Sequence, residues 1–263
     1  MRTAAARSVV DGGAAHASAD PWPRLLPAAS AVARAEVETL ICSRQAVFIF
    51  DTLSDQLAEL IRARHPASLS AEETALRVEE HLADIPYSRY GTWVHYPWSL
   101  RLVHVLPQAE LAELRRSSNR EQLGLPQWPR TKPARIGMVG PAVAHAAAVA
   151  ATMGDAGDEL RLADAAPLAL SDVSRLRSGL HNVGISRAVL AAREVLEMDP
   201  YARVQLFAEE LNAANLPTFL DGDAPLNLLI VECEDATLKA RLLDAARDRA
   251  IPVIEPGGRG IPG

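Results

Sequence analysis

The stretch "RIGMVGPAVAHAAAVAATMGDAGDELRLAD", residues 135–164, decides the fold class of this chain. Arg135 to Val139 is an apolar run of strand length, and Gly140 gives a turn. Val143 to Met153 has the composition and length of a helix. Glu159 to Ala163 reads as a second strand, closed by Asp164. A strand that turns into a helix and then into a second strand is a βαβ unit, whose strands run parallel. Downstream, Arg203 to Phe207, Leu226 to Val231 and Ile251 to Ile254 are further strand-like runs, while Ser186 to Met198 and Ala236 to Arg249 are helical in pattern. This alternation predicts an α/β domain over residues 135–263, a Rossmann-like parallel sheet with helices on both faces.

Upstream, "GLPQWPRTKP" holds three prolines and a glycine, and residues 124–134 read as a linker. Residues 31–123 read as a small α+β region. Helical spacing runs from Ala31 to Leu40, over Leu53, Leu57, Leu60 and Ile61, from a Ser70 cap to Leu82, and from Gln108 to Arg116. A short apolar run, Ala46 to Phe50, precedes Asp51 and Thr52, either of which can cap the helix that follows. "GTWVHYPWSLRLVHVLP" has the aromatic and β-branched composition of a hairpin with a break at Pro97. Residues 1–30, rich in Ala, Gly, Ser and Pro, are expected to be a disordered tail rather than a signal peptide, because Asp11, Gly12 and Gly13 interrupt any apolar segment.

Composition narrows the function classes. The net charge of -6 gives no basic field for a nucleic-acid backbone. No apolar run reaches the roughly 18 to 20 residues of a membrane span, so no membrane association is expected. Two widely separated cysteines, Cys42 and Cys233, suit a reducing cytoplasm and offer neither a disulfide framework nor a zinc pair. Cys233 ends a strand and reads as a small buried hydrophobe.

The chemistry is expected around Gly140. A helix that starts directly after a strand and a tight turn presents unpaired N–H groups and a positive dipole end to a phosphate. The GxGxxG fingerprint is incomplete, since Ala142 and His145 stand at the second and third glycine positions. Asp164 lies 24 residues beyond Gly140, where nucleotide folds place the acid that accepts from ribose hydroxyls. As a plain alternative, Gly140 is an ordinary strand-to-helix turn and Asp164 a loop cap. His145 and His181 flank the expected pocket, and neither has a carboxylate partner evident in the sequence.

"LRLADAAPLALSDVSRLRSGLHNVGISRAVLAAREVLEMDPYARVQLF", residues 160–207, followed by "LLIVECEDATLKARLLDAARDRAIPVI", residues 228–254, resembles the ThiF/HesA/MoeB family of ubiquitin-activating-like adenylating enzymes. The resemblance implies binding of ATP and magnesium and adenylyltransferase-type activation of a carboxylate. By the same resemblance Asp164 matches the ribose-binding acid, Arg175 a phosphate-contacting arginine, Arg187 the phosphate-contacting lysine, and Asp235 the magnesium-linked aspartate; Gly140 and Ala142 line the phosphate turn. Departures are Ala142 for glycine, Ala166 for an acid, Asp172 for asparagine, Arg187 for lysine and Ala236 for asparagine. Arg120, 20 positions before Gly140, matches an arginine that reaches into the partner subunit's site, which implies a homodimer.

"FDTLSDQLAELIRARHP", "YGTWVHYPWSLRLVHVLP" and "ELAELRRSSNR" resemble the N-terminal part of a bacterial subgroup in which a ThiF-type domain is fused to a nitroreductase domain. This implies a nitroreductase partner and a carboxylate substrate on a small molecule, peptide or carrier protein. It also implies that such proteins continue well beyond the match to residue 263. Three readings stay open: an adenylating enzyme, a catalytically degenerate nucleotide-binding or scaffold partner of a complete enzyme, and an NAD-dependent oxidoreductase.

Overall fold

The computed structural model describes residues 20–65, 68–123, 134–140, 142–233 and 235–255. Most of the expected tail and linker, residues 1–19 and 124–133, lies outside them.

The N-terminal unit runs β1 (Arg24–Pro27), α1 (Ala31–Cys42), β2 (Phe48–Asp51), α2 (Leu53–Arg64), α3 (Ala71–Leu82), β3 (Thr92–Tyr96), β4 (Arg101–Val105) and α4 (Gln108–Leu123). The expected hairpin is β3 and β4, antiparallel, joined by a short helical turn at Pro97–Ser99 with Leu100 in the left-handed region. A reciprocal capping box between Ser70 and Glu73 opens α3. Leu53, Leu57 and Leu60, one face of α2, are fully buried and pack with Leu106 and Leu114. The sheet order is β1-β3-β4-β2.

One boundary is corrected. Residues 24–27, placed in the tail by sequence, form an edge strand antiparallel to β3. Four residues ending in proline carry no periodicity of their own; only pairing with a strand almost seventy positions away gives them a structure. The opposite edge, β2, exposes Phe48, Ile49 and Phe50.

His95 on β3 is buried, donates from Nε2 to the Gln45 carbonyl at 2.9 Å, and has Nδ1 without a partner. Burial pushes its pKa below the ordinary value, and Arg24 adds to the effect against the bond to Gln45. The stability it contributes is present above the unfolded pKa of about 6.5 and is lost as pH falls through the folded value, because the unfolded chain takes up the proton first. The urea midpoint of the unaltered protein is therefore expected to fall more steeply between about pH 7 and pH 5 than that of His95→Gln. Parallel declines would exclude this role for His95.

The second unit is the expected α/β domain: β5 (Arg135–Val139), α5 (Ala142–Met153), β6 (Glu159–Ala163), α6 (Arg187–Met198), β7 (Val204–Phe207), α7 (Leu216–Leu220), β8 (Leu228–Val231), α8 (Ala236–Asp248) and β9 (Val253–Ile254). All pairs are parallel and the order is β7-β6-β5-β8-β9. In order of occurrence this is 3-2-1-4-5, the doubly wound Rossmann arrangement, with its switch point between β5 and β8. Alternate strand residues feed two cores: Ile136, Met138, Leu160 and Leu162 pack against α5 and α6, whereas Val139, Ala163, Leu229 and Val231 pack with α7 and α8.

Arg161, like Glu159 two positions before it, departs from this apolar pattern. It sits fully buried in the middle of β6, where Nε donates to Glu159 at 2.8 Å, Nη1 to the Phe219 carbonyl at 2.8 Å and Nη2 to the Ala224 carbonyl at 2.6 Å. It thereby ties α7 and the loop after it to the sheet.

The two units meet on α6. The Tyr96 hydroxyl donates to the Leu196 carbonyl at 3.1 Å, Trp98 Nε1 to Glu197 at 2.6 Å, and the Arg193 guanidinium lies 5.2 Å from the Trp98 ring centre. Arg115 of α4 pairs with Asp199 at 2.6 Å. Among the described residues no helix is long and apolar enough to cross a membrane.

Candidate nucleotide site

Ligands of such sheets bind beyond the carboxyl ends of the strands at the switch point. Here that place is the turn from β5 into α5. Gly140 has φ +113°, and a Cβ on it would lie 1.7 Å from the Glu232 carbonyl oxygen. Only glycine lets the turn pass this close to the end of β8. Ala142 opens α5 directly after the turn.

Asp164 follows β6 and faces the same cleft as Gly140. Its carboxylate is held by Arg187 at the first turn of α6, with Nε to Oδ2 at 2.9 Å and Nη2 to Oδ1 at 3.1 Å. Arg187 Nη1 also reaches Asp172 Oδ2 at 3.4 Å. Burial alone would lower the Arg187 pKa, but its bonds to Asp164 and then the charge of Asp172 raise it. Asp172 accepts from the Ala169 N–H at 3.0 Å and from Arg175 at 2.9 Å, and these two bonds depress its pKa. The result is a clasp of two carboxylates around one guanidinium, all three with side chains at most 16% exposed.

The clasp brings Asp164 and Arg187 together. Arg175 touches it from outside, with a side chain 64% exposed. Asp235 does something else: its Oδ1 accepts from the N–H groups of Thr237 and Leu238, capping α8. Arg120 belongs to α4, and its side chain lies outside the described residues. His181 is exposed and away from the cleft, whereas Cys233 is half-buried against the α7–α8 core.

Sequence reasoning did not foresee two features of the site. Asp172, read only as a departure from asparagine, is the second wall of the clasp. His145 does have a carboxylate partner, Glu194 on α6, at 2.5 Å. A helical pattern over 186–198 places Glu194 on the helix but cannot say which neighbour it faces.

With Arg187 in place, the cleft beneath Gly140 has a volume of only about 10 Å³. That is below the roughly 300–1,000 Å³ of ligand pockets. A larger groove, lined by Arg116, Asp155, Asp158, Asp199 and Arg203, lies at the amino ends of the strands, away from the switch point.

Comparison with known proteins gives partial likenesses. No family model matches the sequence. An uncharacterized protein of Mycobacterium tuberculosis (strain CDC 1551 / Oshkosh) is 33% identical over 162 residues, which is 62% of this chain and 22% of that protein. The solved structure of E. coli tRNA N6-threonylcarbamoyladenosine dehydratase, TcdA, is 22% identical, with a TM-score of 0.49 over 56% of this chain and 60% of that one. Its complex with ATP is 21% identical, with a TM-score of 0.45 over 58% and 59% of the two chains. This chain is similar to parts of these proteins. It spans less than a quarter of the Mycobacterium relative and about three fifths of the dehydratase. The Rossmann-like sheet expected from the sequence is present by its own strand order.

Proposed function

We propose that this chain is an ATP-binding ThiF-like protein in which Arg187 holds the site closed, so that nucleotide binds while adenylation is weak. The observation that carries the reading is the glycine-dependent turn at Gly140, set at the switch point beside Asp164. The turn leads directly into α5, whose first N–H groups and positive dipole end suit a phosphate. ATP supplies an adenylyl group there: a carboxylate oxygen bonds to the α-phosphorus and pyrophosphate leaves.

The chain's own residues would divide the work. Asp164 accepts from the ribose, Arg175 and Arg187 screen phosphate charge, and Asp235 holds magnesium through the oxygen not used in capping. Among the described residues no cluster of three or more potential metal ligands exists. Magnesium nevertheless needs only one or two carboxylates when phosphate oxygens complete its shell. The same proposal includes a homodimer with Arg120 acting across it, an acceptor carboxylate on a small molecule, peptide or carrier protein, and a nitroreductase partner.

Calorimetry with ATP and magnesium tests the reading. Binding should exceed that of NAD, and Asp164→Ala should weaken it by roughly tenfold or more, the effect of one charge-assisted hydrogen bond. Preference for NAD, or no nucleotide bound by the folded protein, overturns it.

The closed clasp favours the scaffold reading as a second possibility, and Arg187→Lys separates the two. Lysine has a compact ammonium and cannot span two carboxylates as a guanidinium does. The variant is expected to gain ATP–pyrophosphate exchange over a low starting rate. Vigorous exchange by the unaltered protein, reduced in the variant, would make arginine the working residue.

A further inference from the structure

Among the described residues that line the cleft, one buried side-chain polar atom has no hydrogen-bond partner. His145 occupies the position at which the glycine fingerprint has its third glycine, and its side chain lines the same cleft as Gly140, Asp164 and Arg187. The residue is 8% exposed, its Nε2 lies 2.5 Å from Glu194 Oε2, and its Nδ1 is buried with no hydrogen-bond partner. The Glu194 carboxylate accepts a hydrogen bond from Nε2–H, which places the neutral imidazole's proton on that nitrogen and leaves Nδ1 as a lone-pair acceptor. Buried acceptors are almost always satisfied, and one left open at the wall of a cleft is a place for a donor from a ligand.

Asp164 is the second acceptor of the same cleft once Arg187 turns away. Two acceptors lining one cleft suit a ligand with two adjacent donors, and a vicinal diol is the part of a ribonucleotide that has them. We propose that His145 Nδ1 is a specificity-determining acceptor for one ribose hydroxyl, with Asp164 taking the other and Glu194 positioning the imidazole by fixing its tautomer. The inference rests on the ATP-binding reading above. It adds a discrimination between ribo- and deoxyribonucleotides for which a glycine at this position has no side chain.

Calorimetric titration of the unaltered protein with ATP, 2′-deoxy-ATP and 3′-deoxy-ATP, each with magnesium, tests it first. Each analogue should bind about five- to tenfold more weakly than ATP, as expected for one net hydrogen bond. His145→Phe keeps a ring of similar shape but no acceptor, so it should bind ATP about as weakly as the unaltered protein binds one of the two analogues. In that variant the same analogue should lose nothing further, while the other still does. Glu194→Gln, a change at a partly exposed side chain, should reduce the same hydroxyl dependence without altering the other.

Equal binding of all three nucleotides by the unaltered protein overturns the proposal. So does an unchanged dependence on both hydroxyls in His145→Phe. Failure of ATP itself to bind the folded protein overturns the ATP reading and this inference together, which keeps the two failures apart. If His145→Phe does not fold, the analogue series and Glu194→Gln still decide the matter.

Discussion

Gly140→Ala is expected to abolish nucleotide binding and to destabilise the α/β domain. The added Cβ would lie 1.7 Å from the Glu232 carbonyl oxygen and 2.6 Å from its carbon, both backbone atoms with little freedom to move. The Glu232 N–H donates to Val139 at 2.7 Å, and Val139 pairs in register with Val231, so the collision falls on the central strand pair of the sheet. A φ of +113° is also foreign to alanine. Backbone strain of about 1–3 kcal/mol adds to overpacking of about 1–3 kcal/mol. Relief requires the turn or the end of β8 to move, and either motion displaces the first N–H groups of α5. Urea unfolding and ATP calorimetry on the same sample check this. Full binding with an unchanged midpoint would show that the turn tolerates a side chain.

Arg161→Ala is expected to cost about 3–5 kcal/mol of stability, the range for removing one member of a buried ion pair. The change leaves the Glu159 carboxylate, only 6% exposed, with the largely exposed Arg203 at 3.6 Å as its remaining cation, and withdraws the donors of the Phe219 and Ala224 carbonyls. Against a total stability of about 5–15 kcal/mol, this is a large fraction. The double variant Arg161→Leu/Glu159→Leu removes both charges and should regain part of the loss, with the Phe219 and Ala224 carbonyls still short of a donor. A midpoint for Arg161→Ala within about 0.5 kcal/mol of the unaltered protein, the scale of an ordinary surface change, would refute the assignment.

Arg161 also marks the limit of what the sequence reveals. The alternation of apolar runs and helical segments places the strands of the α/β domain to within two residues because each signal is local. Nothing local says that the arginine of "ELRLA" is buried, since its carbonyl partners lie 58 and 63 positions away. Strand β1 escapes for the same reason, being defined only by β3. In the site, Gly140 and Asp164 are legible because turn and strand end fix their places. The clasp of Arg187 with Asp172 and the pairing of His145 with Glu194 depend on how two loops and two helices settle over the sheet, which spacing does not encode.

The strand order has a consequence in time. Strand β5 pairs on one side with β6, which follows it closely, and on the other with β8, with Arg135 and its partner Asn227 92 positions apart. During synthesis the first side of the sheet can zip up while the second stays bare, and closing the longer loop carries the greater entropic cost. Glu232 cannot meet Gly140 until that late pairing is made. The crevice accordingly waits for that long-range pairing, and a ligand that grips it captures the product of the pairing rather than guiding the earlier, local ones.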